Sequence, residues 1–444
     1  MYLFEFGAWH DLPFDSKKIT RLKAYLDTIW QNRHLFYNTS LPSTGQQQRM
    51  FDFDGHHIRA RNYVGFLRFE GHDMYVLPKV FNCPIPPPPK VGFAHVLYYL
   101  SYSQRVRFPF SLARTHTSPS LFLPEICIFL FASYAEQLLI EQPLHLYQER
   151  TEELDFLKGQ LDIDQYLKEN IATGNWQKLH SRHTPLLYNN QFNQLVKYTA
   201  RQLLLMTQYA PSLERLQRMI TLLQNVSDVP MTYEDCLKIR LPEQQIALQT
   251  VVDMCAMFLG NEMINYEAGQ KYNFAFLLPM ELVYEDFIAQ FVQTHFAQWQ
   301  PQLQPKKYLG QNPTGKPVFS VQPDMLLGSS QIIADTKYKI RKVPIRHHQT
   351  AIEESDIYQM IAYALGYCCT QMVLLYPASY GQPNTVSSSE SFNIQSDLLT
   401  TPLHIRAESI DITTTAQTKF AEILEQKLKN QLQSIFGSHE KTVF

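Results

Sequence analysis

Between Pro279 and Ile435 the apolar residues change their spacing in a set order, and that order leaves few architectures open. Residues 279–298 carry Tyr284, Phe287, Ile288, Phe291 and Val292 at the three- and four-residue spacing of one helix face. Three runs too short for helices follow, Pro317–Val321, Met325–Leu327 and Gln331–Ala334. Helical spacing returns over 351–368 through Ile357, Met360, Ile361, Ala364, Leu365 and Cys368, behind a capping-box sequence, Thr350-Ala-Ile-Glu353. A buried strand over 371–376, a polar loop over 378–396, a strand over 403–412 and a helix over 420–435 complete the series. Helices alternating with strands in this way predict an α/β arrangement around one mixed sheet flanked by helices.

The remaining chain reads differently. The first 80 residues suggest strands and turns, most clearly a hairpin over 60–80 around Glu70-Gly71-His72-Asp73. Cys83-Pro-Ile-Pro-Pro-Pro-Pro89 can be neither helix interior nor central strand, because proline lacks the N–H and restricts its predecessor. It suggests a domain boundary. From there to about Asn261 the spacing is helical, over 121–139, 192–209, 212–226 and 243–259, with Pro242 suited to a helix start. The expected division is a β-rich domain over 1–90, a mainly helical region over 91–268 and an α/β domain over 269–444, mixed α+β overall.

A length of 444 residues accommodates that, and 45% hydrophobic residues exclude wholesale disorder. A net charge of −2 excludes a globally basic nucleic-acid coat protein but leaves room for a local basic patch. Six cysteines without a Cys-x-x-Cys pair argue against a disulfide scaffold or structural zinc. The N-terminus has no signal-peptide pattern, and the most apolar stretch, 121–135, is interrupted by Pro124 and Glu125 and short of a bilayer span. A cytoplasmic protein with no membrane association is expected.

One motif misleads. Gly310-x4-Gly315-Lys316 has phosphate-loop spacing, but Pro317 stands where the magnesium-binding hydroxyl belongs and opens a strand instead of a helix, so it reads as a turn. The stronger set is Pro323-Asp324 with Ile332-Ile-Ala-Asp335-Thr336-Lys337. Strand alternation puts Asp335 and Lys337 on one face. Asp324, eleven residues back, is at the distance of a short hairpin return. Two carboxylates there can hold Mg²⁺, or Mn²⁺ in its place, with the Thr336 carbonyl as a further ligand. Lys337 can orient water and stabilise charge on a phosphate. The plain alternative is a surface ion pair of Asp335 with Lys337 or Lys339.

Neighbouring residues fit a phosphodiester substrate. Gln359 and Tyr363 are one helical turn apart, off the apolar stripe, and suited to a phosphate or base edge. Glu285 can complete a metal shell, or be a solvated helix glutamate. Lys337, Lys339, Arg341, Lys342 and Arg346, with His347 and His348, form a run without an acid, the footprint of a DNA-facing loop.

These residues, Glu285, Pro323-Asp324, Asp335-Thr336-Lys337 and Asp356-Ile-Tyr-Gln359-Met-Ile-Ala-Tyr363, resemble the PD-(D/E)xK nuclease superfamily. Within it they look like the McrC family, nuclease subunits of McrBC-type modification-dependent restriction systems. Phe156-Leu-Lys-Gly159-Gln and Asn193-Gln-Leu-Val-Lys197 are similar to that family's helical region, and Met74-Tyr-Val-Leu-Pro78-Lys79-Val to its N-terminal Pro-Lys strand. Tyr284 departs from the Phe more usual there. The resemblance implies a restriction-endonuclease-like C-terminal domain. It also implies a partner, a hexameric McrB-like AAA+ GTPase that recognises methylated double-stranded DNA and whose GTP hydrolysis the subunit stimulates. A non-catalytic GTPase-activating adaptor and an autonomous RecB-like repair nuclease are the rival expectations.

Overall fold

The structure, a computed structural model, describes residues 1–31, 33, 37, 47–106, 108, 110, 123–147, 149–241, 246–260, 273–328, 331–341, 351–381, 389–395, 401–416 and 418–437. The chain divides into two compact units, Met1–Leu123 with Ala268–Phe444, and Pro124–Glu267. The expected boundary near residue 90 is therefore not a boundary, and 1–90 and 269–444 are not separate domains.

A strand explains this correction. The hairpin Tyr63–Phe69/His72–Leu77 forms as expected, turning on Glu70 and Gly71, both at positive φ. Its sheet runs in the order Tyr2–Phe4, His72–Leu77, Tyr63–Phe69, Phe274–Pro279. The fourth strand belongs to the C-terminal sequence. It approaches so closely that a Cβ on Gly65 would stand 1.9 Å from the Phe276 carbonyl oxygen. Only glycine fits that position.

The N-terminal region also holds an unexpected helix, Ser16–Gln31, burying Ile19, Leu22, Tyr25, Leu26, Ile29 and Trp30 at helical spacing. The proline run leads into the helix Pro89–Leu100, with Pro89 in its first turn, where a missing N–H costs nothing. That helix is tied to the C-terminal sequence by a bond from the Tyr99 hydroxyl to the Ile412 carbonyl.

Among the described residues the main sheet has six strands, ordered Pro301–Leu303, Met325–Leu327, Ile332–Thr336, Gln371–Pro377, Leu403–Ile410, Ser389–Ile394. The three central strands are parallel and the outer pairings antiparallel. The helix Glu354–Tyr367 makes the crossover between parallel strands and packs on Ile333, Met372, Leu374, Tyr376 and Ile405. Helices Met280–His295 and Phe420–Phe436 also pack on this sheet. The mixed sheet with flanking helices matches the expectation.

Three details differ. The polar loop expected over 378–396 contains the edge strand Ser389–Ile394, whose alternation of half-buried and exposed residues carries little apolar signal. The crossover helix begins at Glu354, and Glu353 caps it without a side-chain bond. Its buried face runs through Asp356, Met360, Tyr363 and Ala364, while Leu365 is exposed.

The second unit contains the helices Leu123–Glu141, Gln191–Leu204, Ala210–Leu222, Tyr233–Lys238 and Ile246–Gly260. Pro242, the expected helix start, lies outside the described residues. Leu123–Glu141 is long and apolar enough to cross a membrane, and 67% of its most apolar window is buried inside the protein. The unit is less helical than expected. Arg150–Leu154, Leu179–His183 and Gln160–Leu161 form a small sheet, and Leu146–Tyr147 pairs with Leu186–Leu187. Arg-Thr-Glu-Glu-Leu has no apolar period, so its strand was invisible to pattern. Phe156–Gly159 accordingly lies in a turn, and Gly159, at φ +80, passes 2.4 Å (measured from an added Cβ) from the Arg182 carbonyl oxygen.

Candidate active site

The hairpin between Met325–Leu327 and Ile332–Thr336 brings the two aspartates together. Met325 pairs with Ala334, so the antiparallel register carries Asp324 across from Asp335. Asp324 Oδ2 accepts from the Thr336 amide at 2.7 Å and the Thr336 hydroxyl at 2.6 Å. The ladder continues past Asp335, with the Lys337 amide donating to the Leu375 carbonyl. Asp335 and Lys337 therefore share a face, and Lys337 Nζ lies 2.6 Å from Asp335 Oδ2. Asp335 is 2% exposed, so this is no surface ion pair. Among the described residues Oδ2 has no partner other than this ammonium.

Lys337 is held from its other side as well. Nζ donates to Gln359 Oε1 at 2.7 Å, Gln359 Nε2 donates to the Tyr363 hydroxyl at 2.6 Å, and that hydroxyl donates to the Gln322 carbonyl at 3.1 Å. The helical spacing of Gln359 and Tyr363 does bring them together. Tyr363, however, is buried in the core cluster, so it supports Lys337 and does not reach out to DNA.

Glu285 stands close enough for its charge to act on both aspartates. Its Oε1 is taken by the Arg105 guanidinium at 2.8 Å and the Gln304 amide at 2.6 Å. Arg105 is delivered by the adjacent Asp286, whose buried Oδ2 accepts from the Ser103 hydroxyl and from the amides of Gln104 and Arg105. Sequence reasoning missed Arg105, Asp286 and Gln304. The acidic pair Glu285-Asp286 was the one local signal.

The basic run is corrected. Arg341 is buried, bonded to Glu390 at 2.6 Å, the Ala407 carbonyl and the Ser409 hydroxyl. Lys339 is paired with Glu353 at 2.7 Å and Asp356 at 3.0 Å. Both charges are matched by acids distant in sequence, and Arg341 is closed to a phosphate backbone. Lys342, Arg346, His347 and His348 lie outside the described residues.

The donor set suits a hard cation. Burial first, then the charges of Asp335 and Glu285, pushes the Asp324 carboxyl well above the usual carboxylate range. Burial also raises Asp335, against the opposing pull of Lys337. A divalent cation between them would relieve both. Among the described residues no three His, Cys, Asp or Glu side chains gather closely enough to hold a metal. Two carboxylates completed by backbone oxygen and water are the Mg²⁺ pattern. Glu285, with one oxygen committed to Arg105 and Gln304, is not gathered into that set.

Comparison with known proteins gives the fold and the family. The chain resembles a chain of the refined half-complex from the tetradecameric assembly of Thermococcus gammatolerans McrB AAA+ hexamers with bound McrC. Identity is 17%, TM-score 0.63, and the match covers 97% of this chain and 99% of that one. At that identity the likeness is one of fold. The cryo-EM structure of the Thermococcus gammatolerans McrBC complex also matches, at 17% identity and TM-score 0.46, over 66% of this chain and 87% of that one. No curated protein sequence matches. The family model for the McrBC 5-methylcytosine restriction system component matches residues 58–377, spanning the hairpin 63–77, the paired aspartates, Lys337 and its supporting helix, and the chain belongs to that family.

Proposed function

We propose that this chain is the DNA-cutting subunit of an McrBC-type restriction system, a Mg²⁺-dependent endonuclease acting on methylcytosine-containing double-stranded DNA. The observation that carries the reading is the pair of half-buried Asp324 and buried Asp335 set across one hairpin, with Lys337 held on the same face by Gln359. Asp324, Asp335 and the Thr336 carbonyl would hold the cation, with Glu285 adding negative charge beside them. Mg²⁺ in such a site supplies Lewis-acid polarisation of the phosphodiester and a more acidic bound water. Lys337 would orient the attacking water and meet the charge that builds on the phosphate. Gln359 and Tyr363 keep the ammonium from swinging away, and Thr336 fixes the rotamer of Asp324.

McrC is bound to McrB AAA+ hexamers in the Thermococcus gammatolerans assembly. We extend that partnership to this chain, which would dock on an McrB-like GTPase and stimulate its GTP hydrolysis. The test is Lys337→Ala in the full chain, assayed with the partner and methylated plasmid. Cutting should be lost and stimulated GTP hydrolysis kept, and Asp324→Asn should behave alike. A wild-type chain that stimulates hydrolysis without cutting would establish the adaptor reading. Cutting by both variants would refute the site.

A further inference from the structure

The misleading Gly310–Lys316 motif sits at the tip of a hairpin that the activity above does not use. Its strands are Lys307–Gln311 and Pro317–Val321, and Asn312 Oδ1 ties the turn by accepting from the Thr314 and Lys316 amides. Both ends of this hairpin are anchored in the candidate active site. At one end the Gln304 amide donates to the Asp324 carbonyl, and the Gln304 side chain to Glu285. At the other, Gln322 accepts from Tyr363 and leads straight into Asp324. The hairpin rises directly from the carboxylates.

Its two faces differ. Lys307 and Leu309 lean on the crossover helix, the Lys307 ammonium lying 4.7 Å from the centre of the Tyr367 ring. The other face carries Tyr308 and Gly310. Phe319 lays its ring over Gly310, where a Cβ would meet it at 3.4 Å. Phe319 is 75% exposed and Tyr308 49% exposed. Phe319 also has a φ of +58. A bulky residue held in that region stores strain, and here no burial compensates for it, which points to a use outside the chain.

The charge is one-sided. No Asp or Glu occurs between Gln304 and Pro323, while Lys306, Lys307 and Lys316 do. None of the three has a carboxylate partner among the described residues, in contrast to Lys339 and Arg341. Lys306 lies over the Tyr308 ring at 5.4 Å.

We infer that this hairpin is a duplex-DNA arm, with Lys306 and Lys316 on phosphates and Phe319 as an aromatic wedge against base steps. A two-stranded ribbon has the width to follow a groove, and a cationic ribbon with an exposed ring complements a polyanion with stacked bases. At about 3.4 Å per residue, its five-residue strands reach about 17 Å from the carboxylates. The contact therefore falls on DNA flanking the cut. The inference rests on the reading of the chain as a DNA-cutting subunit.

The test is anisotropy of a labelled duplex with the full-length chain in chelator, where nothing is cut, at several salt concentrations. Lys306→Gln with Lys316→Gln should lower the log–log salt slope by about 1.8, or about 0.9 per lysine. Phe319→Gly, which suits the positive φ and so leaves the hairpin unstrained, should weaken binding about tenfold with the slope unchanged. Wild-type slope and affinity in these variants would overturn the arm, as would equal losses on single-stranded DNA or RNA. If they bind like wild type while Lys337→Ala abolishes cutting, the arm alone falls. Wild-type chain that cuts no DNA at all counts against the nuclease reading instead.

Discussion

Tyr363→Phe isolates the support behind Lys337. The hydroxyl is buried, accepts from Gln359 and donates to the Gln322 carbonyl two residues before Asp324. Burial first, then the charge of Asp335, pushes this hydroxyl above its ordinary range, so it stays a donor at any working pH. Losing it removes a net bond of about 1 kcal/mol and strands a carbonyl at a cost of a further ~1 kcal/mol or more. Gln359 is half-buried and can turn to water, which limits the total to about 2 kcal/mol. In a unit of this size that corresponds to a fall in Tm of roughly 3 °C. The ammonium then keeps Asp335 but loses a fixed Gln359. A misaimed catalytic group of this kind should lower kcat about tenfold, with KM for DNA unchanged. The assay is steady-state cutting of methylated plasmid with the GTPase partner, beside a thermal melt. A lowered Tm with full kcat would make Tyr363 purely structural. Unchanged values of both would refute the chain of bonds itself.

Other outcomes follow from buried charge. Glu5 is 1% exposed, and burial, opposed by Lys79, pushes its carboxyl up to about 7. The folded state then binds this proton more tightly than the unfolded chain, so the contribution is full below the ordinary carboxylate range and is lost as pH rises through about 7. Glu5→Gln should therefore be stabilising at pH 8, by about 3 kcal/mol at most, and neutral at pH 4, read from urea unfolding at both. Arg341→Met should destabilise by about 3–5 kcal/mol through the stranded Glu390, and leave the salt slope of DNA binding unchanged. A reduced slope there would restore Arg341 as a phosphate contact.

The sequence by itself determined the parts of the site that lie close together along the chain. An apolar run ending in Asp335-Thr-Lys337 can only alternate faces, and eleven residues suffice for a hairpin, so Asp324, Asp335 and Lys337 followed from strand geometry. The turn at Gly310–Lys316 was legible for the same reason, because Pro317 forbids the helix that the rival motif needs. Tertiary structure decided what covers each face. Arg105 meets Glu285 across 180 positions, and Arg341 meets Glu390 across 49. Periodicity tells which way a side chain points, but not which distant charge will neutralise it, so the basic run looked free when two of its members were already matched. Domain division was decided in the same way. Phe274–Pro279 completes the hairpin sheet of residues 63–77, because an open sheet edge binds whichever strand the rest of the fold delivers to it, and that delivery is not written in the strand.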